Sequence, residues 1–446
     1  MNAHDGGTKE VAHLAWPLAV GMLSYTLMSL VDTLLMGHVS TAAQAGVGLA
    51  TTFAFACMIF FRGLASGAQS LVAAADGARD SAKLRAAGSA GVWIGALSGL
   101  AATLLLLLSY RAVLGWAVSD VDVATSCSRY LEVRAWGLPF ALLGFGCLAG
   151  LQGIGETRTR MWVSLAGNLT NVGLDLVLIF GCGPIPAWGE AGAAVATVVS
   201  NALIALLYGL RYRQLFGSLV RPGADVVRRA LQVGLPSGCQ GLVGVGAFLG
   251  MNLVLARTGA AHLAASEIVL RITSVSFLPG FGVGEAAGVL VGRYLGAGER
   301  RTAARAVHSA RILAAVLMGL AGLVFLTEGQ WLASWFTRDP RVVTLAGRLM
   351  LFAAAFQVFD ALAMVHLCAL RGAGDTRFTL LLTILGGWGL LIPGAVVFGL
   401  LLGWGAPGAW LGLTCELAVI AAISGWRVRG LETGSVGRLD LLLGTT

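Results

Sequence analysis

The chain has 446 residues, of which 57% are hydrophobic and only 12% are charged, and its mean hydropathy is +0.82. A soluble protein carries roughly twice that share of charged residues, so this composition excludes a soluble globular protein and predicts a polytopic membrane protein. The net charge of +8 does not indicate nucleic-acid binding, because the basic residues lie in short segments between apolar runs, where they orient membrane helices.

Twelve apolar runs are long enough to cross a bilayer, which takes about 20 residues. The predicted spans are residues 12–36, 44–72, 86–108, 126–150, 161–182, 189–211, 228–256, 262–293, 304–326, 343–369, 378–402 and 407–427. Several are longer than a crossing requires, so we expect tilted or bent helices. The first run is too long for a signal peptide and lacks a small-residue cleavage site. The predicted fold class is therefore all-α, with twelve transmembrane helices.

Lysines and arginines are distributed unevenly between the two sides of the membrane. Most of the 30 lie at the N-terminus, in the connections that follow even-numbered spans, or in the C-terminal tail. The other side, counted with the adjoining helix ends, holds Arg111, Arg129, Arg134, Arg257, Arg338, Arg341 and Arg348. Because cytoplasmic loops carry the excess of positive charge, we expect both termini in the cytoplasm.

The glycine-rich segment LQGIGETR at 151–158 recurs as LRGAGDTR at 370–377. Read alone, the first copy suggests a phosphate-binding loop, but no Lys-Ser/Thr pair follows it. Its glycines instead predict a tight turn between two helices, and we expect Thr157 to cap the second of these helices.

The two copies are 219 residues apart (370 − 151 = 219), and the same offset relates Pro17 to Pro236. The sequence therefore predicts two six-helix lobes, 1–215 and 228–446, joined by a cytoplasmic linker at 216–227. Because each copy has an even number of spans, both insert in the same orientation and are related by an axis along the membrane normal, which suits transport by alternating access. A duplication kept only for packing is the other interpretation.

Ionisable residues inside the spans cost free energy and require a reason. Asp32 lies about twenty residues into the first helix, and Asp175 lies in the outer half of the fifth span, on the same helix face as Asn171 four residues earlier. Two carboxyl groups at similar depth repel each other, and burial disfavours their charge, so this pair could hold a proton. It could also hold a hard cation such as Na⁺ through oxygen ligands. A structural hydrogen-bonded pair that fixes helix packing is the alternative.

These acids are not duplicated, since the offset of 219 maps Asp32 onto Met251 and Asp175 onto Gly394. A symmetric scaffold with asymmetric acids argues against a mere folding requirement.

The second half has its own ionisable candidates for substrate binding or a second cation site, namely Asp360, Glu285 and Glu416. Asp360 fits a cationic substrate or an arginine partner, whereas the two glutamates fit a passive wet cavity equally well. We interpret Arg62 and Arg271 as structural, and the sequence assigns no role to Glu267.

Enzyme motifs do not accompany these acids. The six histidines and seven cysteines form no CxxC or Cys/His cluster and no HExxH spacing, and no P-loop sequence occurs. Cys127 and Cys182 could pair near the outer face, but we expect free thiols. We therefore predict a transporter rather than an enzyme, with no cofactor or resident metal beyond a coupling H⁺ or Na⁺.

The chain resembles the multidrug and toxic compound extrusion (MATE) family over essentially its whole length. Five regions carry the resemblance. In the first half they are WPL and LVDTLLMGHV in the first span, GLPF and LQGIGETR from the fourth span into the loop after it, GNLTNVGLDLVLIFG in the fifth span, and WGEAGAAVATVVSN at the start of the sixth span. In the second half they are FQVFDAL and LRGAGDTR, in and just after the tenth span. It implies two six-helix lobes and proton- or sodium-driven export of organic, often cationic, compounds.

The resemblance also implies roles for individual residues. The first-lobe cation site would consist of Asp32, Asn171, Asp175 and Thr197, and Pro17 would be a hinge whose bend follows protonation. Asp360 matches an acid that some branches use for sodium. Those branches carry a glutamate in the seventh span, but LPSGCQGLVGVGAFLGMNLVL has no acid, which disfavours a second-lobe sodium site. FFRGLASGAQ, with its arginine, resembles the DinF-like branch.

The resulting hypothesis is a cation-coupled antiporter in a bacterial inner membrane, with protons favoured over sodium. Its expected partners are small organic substrates and the bilayer, without nucleic acid or an obligate protein partner. A lipid-linked precursor flippase of the same superfamily is the alternative. Such flippases tend to have extra helices and a cationic cavity, whereas only Arg62 and Arg271 are predicted to lie deep in this membrane domain.

Overall fold

A computed structural model describes residues 5–436, without the side chains of Tyr25, Ser29, Leu30, Thr33 and Ala117. Over this range twelve helices are long and apolar enough to cross a membrane, which confirms the predicted spans. They are α1 (Thr8–Gly37), α2 (Thr41–Gly77), α3 (Ser81–Ala117), α4 (Val121–Gly153), α5 (Thr157–Phe180), α6 (Glu190–Phe216), α7 (Ala224–Thr258), α8 (Ala260–Gly296), α9 (Arg300–Ser334), α10 (Pro340–Gly372), α11 (Thr376–Leu401) and α12 (Ala406–Thr433).

Two of the helices are irregular, in keeping with the expected bends. In α4 a 3₁₀ turn at Ala135–Gly137 precedes Pro139, whose ring removes one backbone donor. In α11 two π-helical segments, Gly387–Leu391 and Ala395–Leu401, flank Pro393. Wider turns of this kind re-satisfy backbone groups near a proline inside a membrane helix.

The exterior of α3 shows why the chain needs a membrane. Leu97, Leu100, Leu104 and Leu108 are all exposed, and their spacing of three or four residues places them on one face of the helix. A long exposed leucine stripe is unfavourable in water but suits contact with lipid. The chain is therefore a multi-pass membrane protein.

The chain folds into two compact units. One contains the described residues up to Ala19, Ala73–Arg79 and the chain from Cys239, and the other contains Val20–Val72 and Asp80–Gly238. Two helices change unit just after a proline: α1 two residues after Pro17, and α7 two residues after Pro236. The lobe boundaries predicted from the repeat, at 215 and 228, stay a prediction.

Within the first of these units, α2 and α8 cross at twin glycines. A Cβ atom on Gly77 would lie 1.8 Å from the carbonyl oxygen of Arg293, and one on Gly296 would lie 2.0 Å from that of Ala74. Each glycine and each carbonyl is separated from its twin by 219 residues (296 − 77 and 293 − 74). The repeat therefore extends to a backbone contact that leaves no room for a side chain. An ion pair between Arg293 Nε and Asp76 Oδ2, at 2.8 Å, adjoins the crossing.

The twin glycine-rich segments form tight turns, as predicted. Gly155 and Gly374 have φ angles of 76° and 80°, a conformation that glycine adopts at little cost. The prediction that Thr157 caps α5 is wrong. Thr157 is already the first helical residue, and Glu156 occupies the cap position without a side-chain capping bond. The Glu156 carboxylate instead accepts a hydrogen bond from the Thr159 hydroxyl at 2.7 Å.

The cysteines are free thiols, as expected. Cys127 is buried and Cys182 is exposed, so the one pairing that the sequence suggested is absent from the part of the chain that the structure describes.

Candidate ion-coupling site

Three of the predicted site residues meet inside the unit that contains Val20–Val72 and Asp80–Gly238. Asp32 extends from α1, and Asn171 and Asp175 lie one turn apart on α5. The Asn171 amide nitrogen donates to Asp32 Oδ1 at 3.1 Å and to Asp175 Oδ2 at 3.2 Å, in the amide orientation that satisfies both carboxyl groups. The shared face of α5 is therefore turned toward the acid of α1.

Water has little access to this group. Asn171 and Asp175 are 0% exposed, and Asp32 is partly buried. The two carboxyl groups also lie within hydrogen-bonding reach of each other. Since an ionised carboxylate can only accept hydrogen bonds, a bond between the two groups requires a proton on one of them. The arrangement can therefore hold a single proton between two helices.

Thr197 joins this group indirectly. It lies buried in α6, where its hydroxyl donates to the backbone oxygen of Ala193 at 2.9 Å. The hydroxyl group of buried Tyr130, from α4, interacts with the hydroxyl groups of Thr197 and Thr51, and Tyr130 is near enough to Asp32 for an electrostatic interaction. Thr197 is thus linked to the acids through a tyrosine.

The position of Arg134 differs from the one predicted from the sequence. We expected it near the outer end of its helix, as part of the orientation signal. It is instead only 7% exposed, because the 3₁₀ turn that follows it continues α4 past this point. Arg134 also interacts electrostatically with Asp32, so it belongs to the site and not to a loop.

The same residues can be compared with the needs of a sodium ion. A hard cation is held by several oxygen ligands, and the carboxyl oxygens of Asp32 and Asp175 qualify. The Asn171 amide turns its nitrogen toward both acids in the orientation that satisfies them without a cation, and in the opposite orientation its oxygen faces them. The amide would have to rotate before its oxygen could join a cation. No group of three or more His, Cys, Asp and Glu side chains suited to a metal ion occurs among the described residues.

The second-half candidates form two separate groups. Asp360 of α10 and Glu416 of α12 are both buried and interact electrostatically. Glu416 Oε1 lies 3.2 Å from where a Cβ of Gly386 would stand, so its carboxyl group packs closely against α11. This pair remains a candidate for substrate binding.

Glu285 is less available for that purpose. Arg371 Nη2 lies 3.5 Å from Glu285 Oε1 and 2.9 Å from Cys368 Sγ. Arg371, one of the basic residues that follow the tenth span, therefore neutralises a partly buried acid of α8. A glutamate that already has a cationic partner is a poor site for a cationic substrate.

The remaining ionisable residues occupy local environments. The Arg62 guanidinium lies over the ring of Phe145, 5.1 Å from its centroid, which is a favourable cation–π arrangement. Arg271 is exposed, and Glu267 accepts a hydrogen bond from Asn252 Nδ2 at 3.4 Å.

Comparison with known protein families identifies the family of this chain. The family model MatE matches it twice, over residues 17–177 and 236–397. The two matches begin at Pro17 and Pro236, so they repeat the offset of the internal repeat (236 − 17 = 219). The chain belongs to the MATE family.

Curated members of the MATE family are similar over nearly their whole length. The Multidrug resistance protein NorM of Burkholderia vietnamiensis is 32% identical over 438 residues, which cover 96% of this chain and 94% of that protein. The Probable multidrug resistance protein NorM of Burkholderia pseudomallei (strain K96243) is 32% identical over 429 residues, 94% of this chain and 92% of that one.

Solved MATE structures share the fold. The structure titled "Outward-facing conformation of a multidrug resistance MATE family transporter of the MOP superfamily" superposes with a TM-score of 0.88 at 21% identity, over 95% of this chain and 96% of that one. This likeness supports the all-helical fold of twelve spans in two six-helix halves.

Sequence reasoning missed Tyr130 and Arg134 in this MATE transporter. A signal was present, because the two are four residues apart and therefore share a helix face. Position 134 also lies well inside the fourth predicted span, 126–150. This signal is missed when Arg134 is counted only with the charges at the helix ends on one side of the membrane.

Proposed function

We propose that this MATE transporter exports organic, often cationic, compounds across a bacterial inner membrane by proton-coupled antiport. The proposal depends on one observation: Asn171 bridges two acids from two helices, at a buried position that the other half of the repeat does not duplicate. The names of the NorM relatives support an organic drug-like substrate. Both termini would lie in the cytoplasm, as the charge distribution suggests.

A proton fits this geometry better than sodium. One proton satisfies the bond between the two carboxyl groups, and the Asn171 nitrogen can donate to one oxygen of each acid. Loss of the proton leaves two repelling negative charges at a buried position, which is costly. The free energy of the site therefore depends strongly on whether a proton is bound, and coupling requires such a dependence.

The course of α1 suggests how this change could reach the rest of the protein. Pro17 is buried within α1, where it removes one helical hydrogen bond and favours a bend. The helix passes from one compact unit to the other two residues later, and Asp32 follows on the same helix. In the proposed cycle, protonation of Asp32 and Asp175 bends α1 near Pro17 and releases the substrate outward. Alternating access then carries the proton to the cytoplasm.

Asp32→Asn tests the coupling role. The amide cannot bind a transferable proton, so we expect export of a fluorescent organic cation to fall to the background of empty vesicles. The measurement is dye transport by purified protein in proteoliposomes, with a proton gradient or a sodium gradient imposed separately. A proton gradient alone should drive the wild-type protein.

The matched control is Asp122→Asn, which makes the same change at an exposed aspartate of α4 and should transport normally. Full proton-driven transport by Asp32→Asn would refute the coupling role. Transport by the wild type under a sodium gradient alone would refute the choice of ion.

A further inference from the structure

Arg134 is a buried cation without a role in the cycle described above. It lies four residues after Tyr130, so the two side chains share one face of α4, and both are buried. Tyr130 reaches Thr51 of α2 and Thr197 of α6. Asp32 lies within electrostatic range of both Tyr130 and Arg134. The arginine therefore stands near Asp32, on the side of the site formed by α4 and α6.

One end of the Arg134 guanidinium is buried between α4 and α6. Its Nη1 atom lies 3.0 Å from where a Cβ of Gly137 would stand, and the Val198 side chain lies 3.1 Å from the same point. Val198 directly follows Thr197. Nη1 has no hydrogen-bond partner among the residues that the structure describes. Since buried donors are normally paired, this atom is available for an acceptor that arrives during function.

Asp175 has an unpaired acceptor in the same group of residues. Its Oδ1 is also buried and has no hydrogen-bond partner within the described range, while its Oδ2 accepts from Asn171. The site therefore contains both an unpaired donor and an unpaired acceptor.

The charged groups of this region lie on several helices. Asp32 of α1 is within electrostatic range of Arg134, and Asp175 of α5 interacts with Asp32. Glu190, the first residue of α6, accepts a hydrogen bond from Ser126 at 2.9 Å, two turns before Arg134 on α4. The α2 and α3 residues of this region are the neutral Thr51 and Thr103, and the Thr103 hydroxyl donates to Ala135 O at 3.0 Å.

We propose that Arg134 is the internal counter-ion of the Asp32–Asp175 site and sets the affinity of the site for its coupling cation. When the proton leaves, the free Nη1–H balances the charge that remains, by a charge-assisted hydrogen bond to a carboxylate. Arg134 is thus a positioning residue that acts on the proton through the acids. This inference depends on the coupling role proposed above for Asp32 and Asp175.

Arg134→Gln tests it, because glutamine keeps a donor and removes the charge. The readout is equilibrium binding of ethidium, an organic cation, to the purified full-length protein as a function of pH, since the proton must leave before the cation binds. Without their counter-ion the acids keep the proton to higher pH, so the binding midpoint should rise by about one pH unit. Sodium chloride should also compete with ethidium about tenfold more strongly than in the wild type, relative to choline chloride at equal ionic strength.

Three further variants make the result specific. Arg134→Lys keeps the charge and should keep the wild-type midpoint. Arg129→Gln, at an exposed arginine of the same helix, should also leave it unchanged. Arg134→Met removes the charge with a flexible apolar chain and replaces the glutamine variant if that protein does not fold.

An unchanged midpoint in a folded neutral variant, or an equal shift in Arg134→Lys, would overturn the counter-ion role. The two proposals fail separately. If Asp32→Asn still transports, the coupling role is wrong. If Asp32→Asn is inactive while Arg134→Gln titrates like the wild type, only the counter-ion role is wrong.

Discussion

The two halves of this transporter agree at their loops and differ inside the membrane. In LQGIGETR, Glu156 Oε1 pairs with Arg211 Nη2 of α6 at 3.4 Å. In LRGAGDTR, Asp375 Oδ2 pairs with Arg427 Nε of α12 at 2.9 Å. The acids are 219 residues apart (375 − 156). The arginines are 216 apart (427 − 211), because the second copy is three residues shorter before WGAPGAW at 404–410, the counterpart of WGEAGAA at 188–194 (404 − 188 = 216). Each twin turn is thus tied to the last helix of its half.

The interior of the two halves shows the opposite behaviour. The residues of the coupling site map onto Met251, Leu390 and Gly394. Gly394 lies between the two π-helical segments of α11, so even the backbone differs from that of α5 at this position. The turn is kept in both halves, and the α2–α8 crossing uses the same glycine and carbonyl positions from each half, because both features serve the fold. A coupling site of the kind proposed above is needed only once, which agrees with the single occurrence of its polar residues.

The twin helix crossing gives the largest expected effect. Gly296→Val would place side-chain atoms about 2 Å from the Ala74 carbonyl oxygen, so α2 and α8 must separate. Because overpacking costs about 1–3 kcal/mol even where side chains can move, and here a backbone must move, we expect a loss of more than about 3 kcal/mol. Thermal unfolding and the yield of monodisperse protein in detergent measure it.

The matched control is Gly319→Val in α9, since no atom stands within 4 Å of a Cβ there, and this variant should remain folded. Gly77→Val should be as harmful as Gly296→Val. If one of the twin variants folds normally while the other does not, the crossing is not the symmetric contact that the geometry suggests.

The sequence predicts the scaffold and half of the site. Span length and the turn glycines are local properties, so the twelve helices and the twin turns can be predicted from the amino-acid sequence alone. The placement of Asn171 and Asp175 on one face also follows, because helical spacing fixes it. That this face meets Asp32 was a hypothesis from matching depth, and the structure brings the three residues together.

The rest of the site depends on tertiary packing. Arg134 looks like a helix-end residue because long cations often reach the membrane surface there, and its burial follows only from the 3₁₀ turn that prolongs α4. The Arg371–Glu285 pair is similar, since no local pattern joins α10 to α8. The Thr157 cap failed because Gly155 and Glu156 already complete the turn one residue earlier.

The unequal interiors predict unequal effects of the same substitution. Asp175→Asn should slow proton-driven dye transport by about 100-fold, which corresponds to about 2.7 kcal/mol, because the proton between two helices is lost. Asp360→Asn in the other half should reduce it by at most about threefold and should change the range of cationic substrates. Initial rates in proteoliposomes, with several dyes, compare the two. If Asp360→Asn abolished proton-driven transport of every dye, the coupling site would lie in the second half and the assignment to Asp32 and Asp175 would be wrong.

The twin ion pairs are expected to give the smallest effect, and a graded one. The Asp375–Arg427 pair is shorter, its carboxylate is only 11% exposed, and Arg427 also lies over the Phe378 ring at 5.1 Å. Removing one partner of such a pair strands the other, so Asp375→Asn should cost about 1–2 kcal/mol. The Glu156 carboxylate is 29% exposed, with an arginine partner at 39%, so Glu156→Gln should cost at most about 1 kcal/mol.

Thermal unfolding of both variants measures this difference. Glu132→Gln is the control for an exposed ion pair, since Arg111 and Glu132 are 80% and 50% exposed, and glutamine keeps an acceptor for the Tyr110 hydroxyl that donates to Glu132 at 2.6 Å. Burial then predicts that the loss of stability decreases in the order Asp375→Asn, Glu156→Gln, Glu132→Gln. Equal costs at Asp375 and Glu156 would mean that the turn itself, and not desolvation of its acid, carries the stabilisation. In that case the two halves would be alike in energy as well as in geometry wherever the repeat is kept.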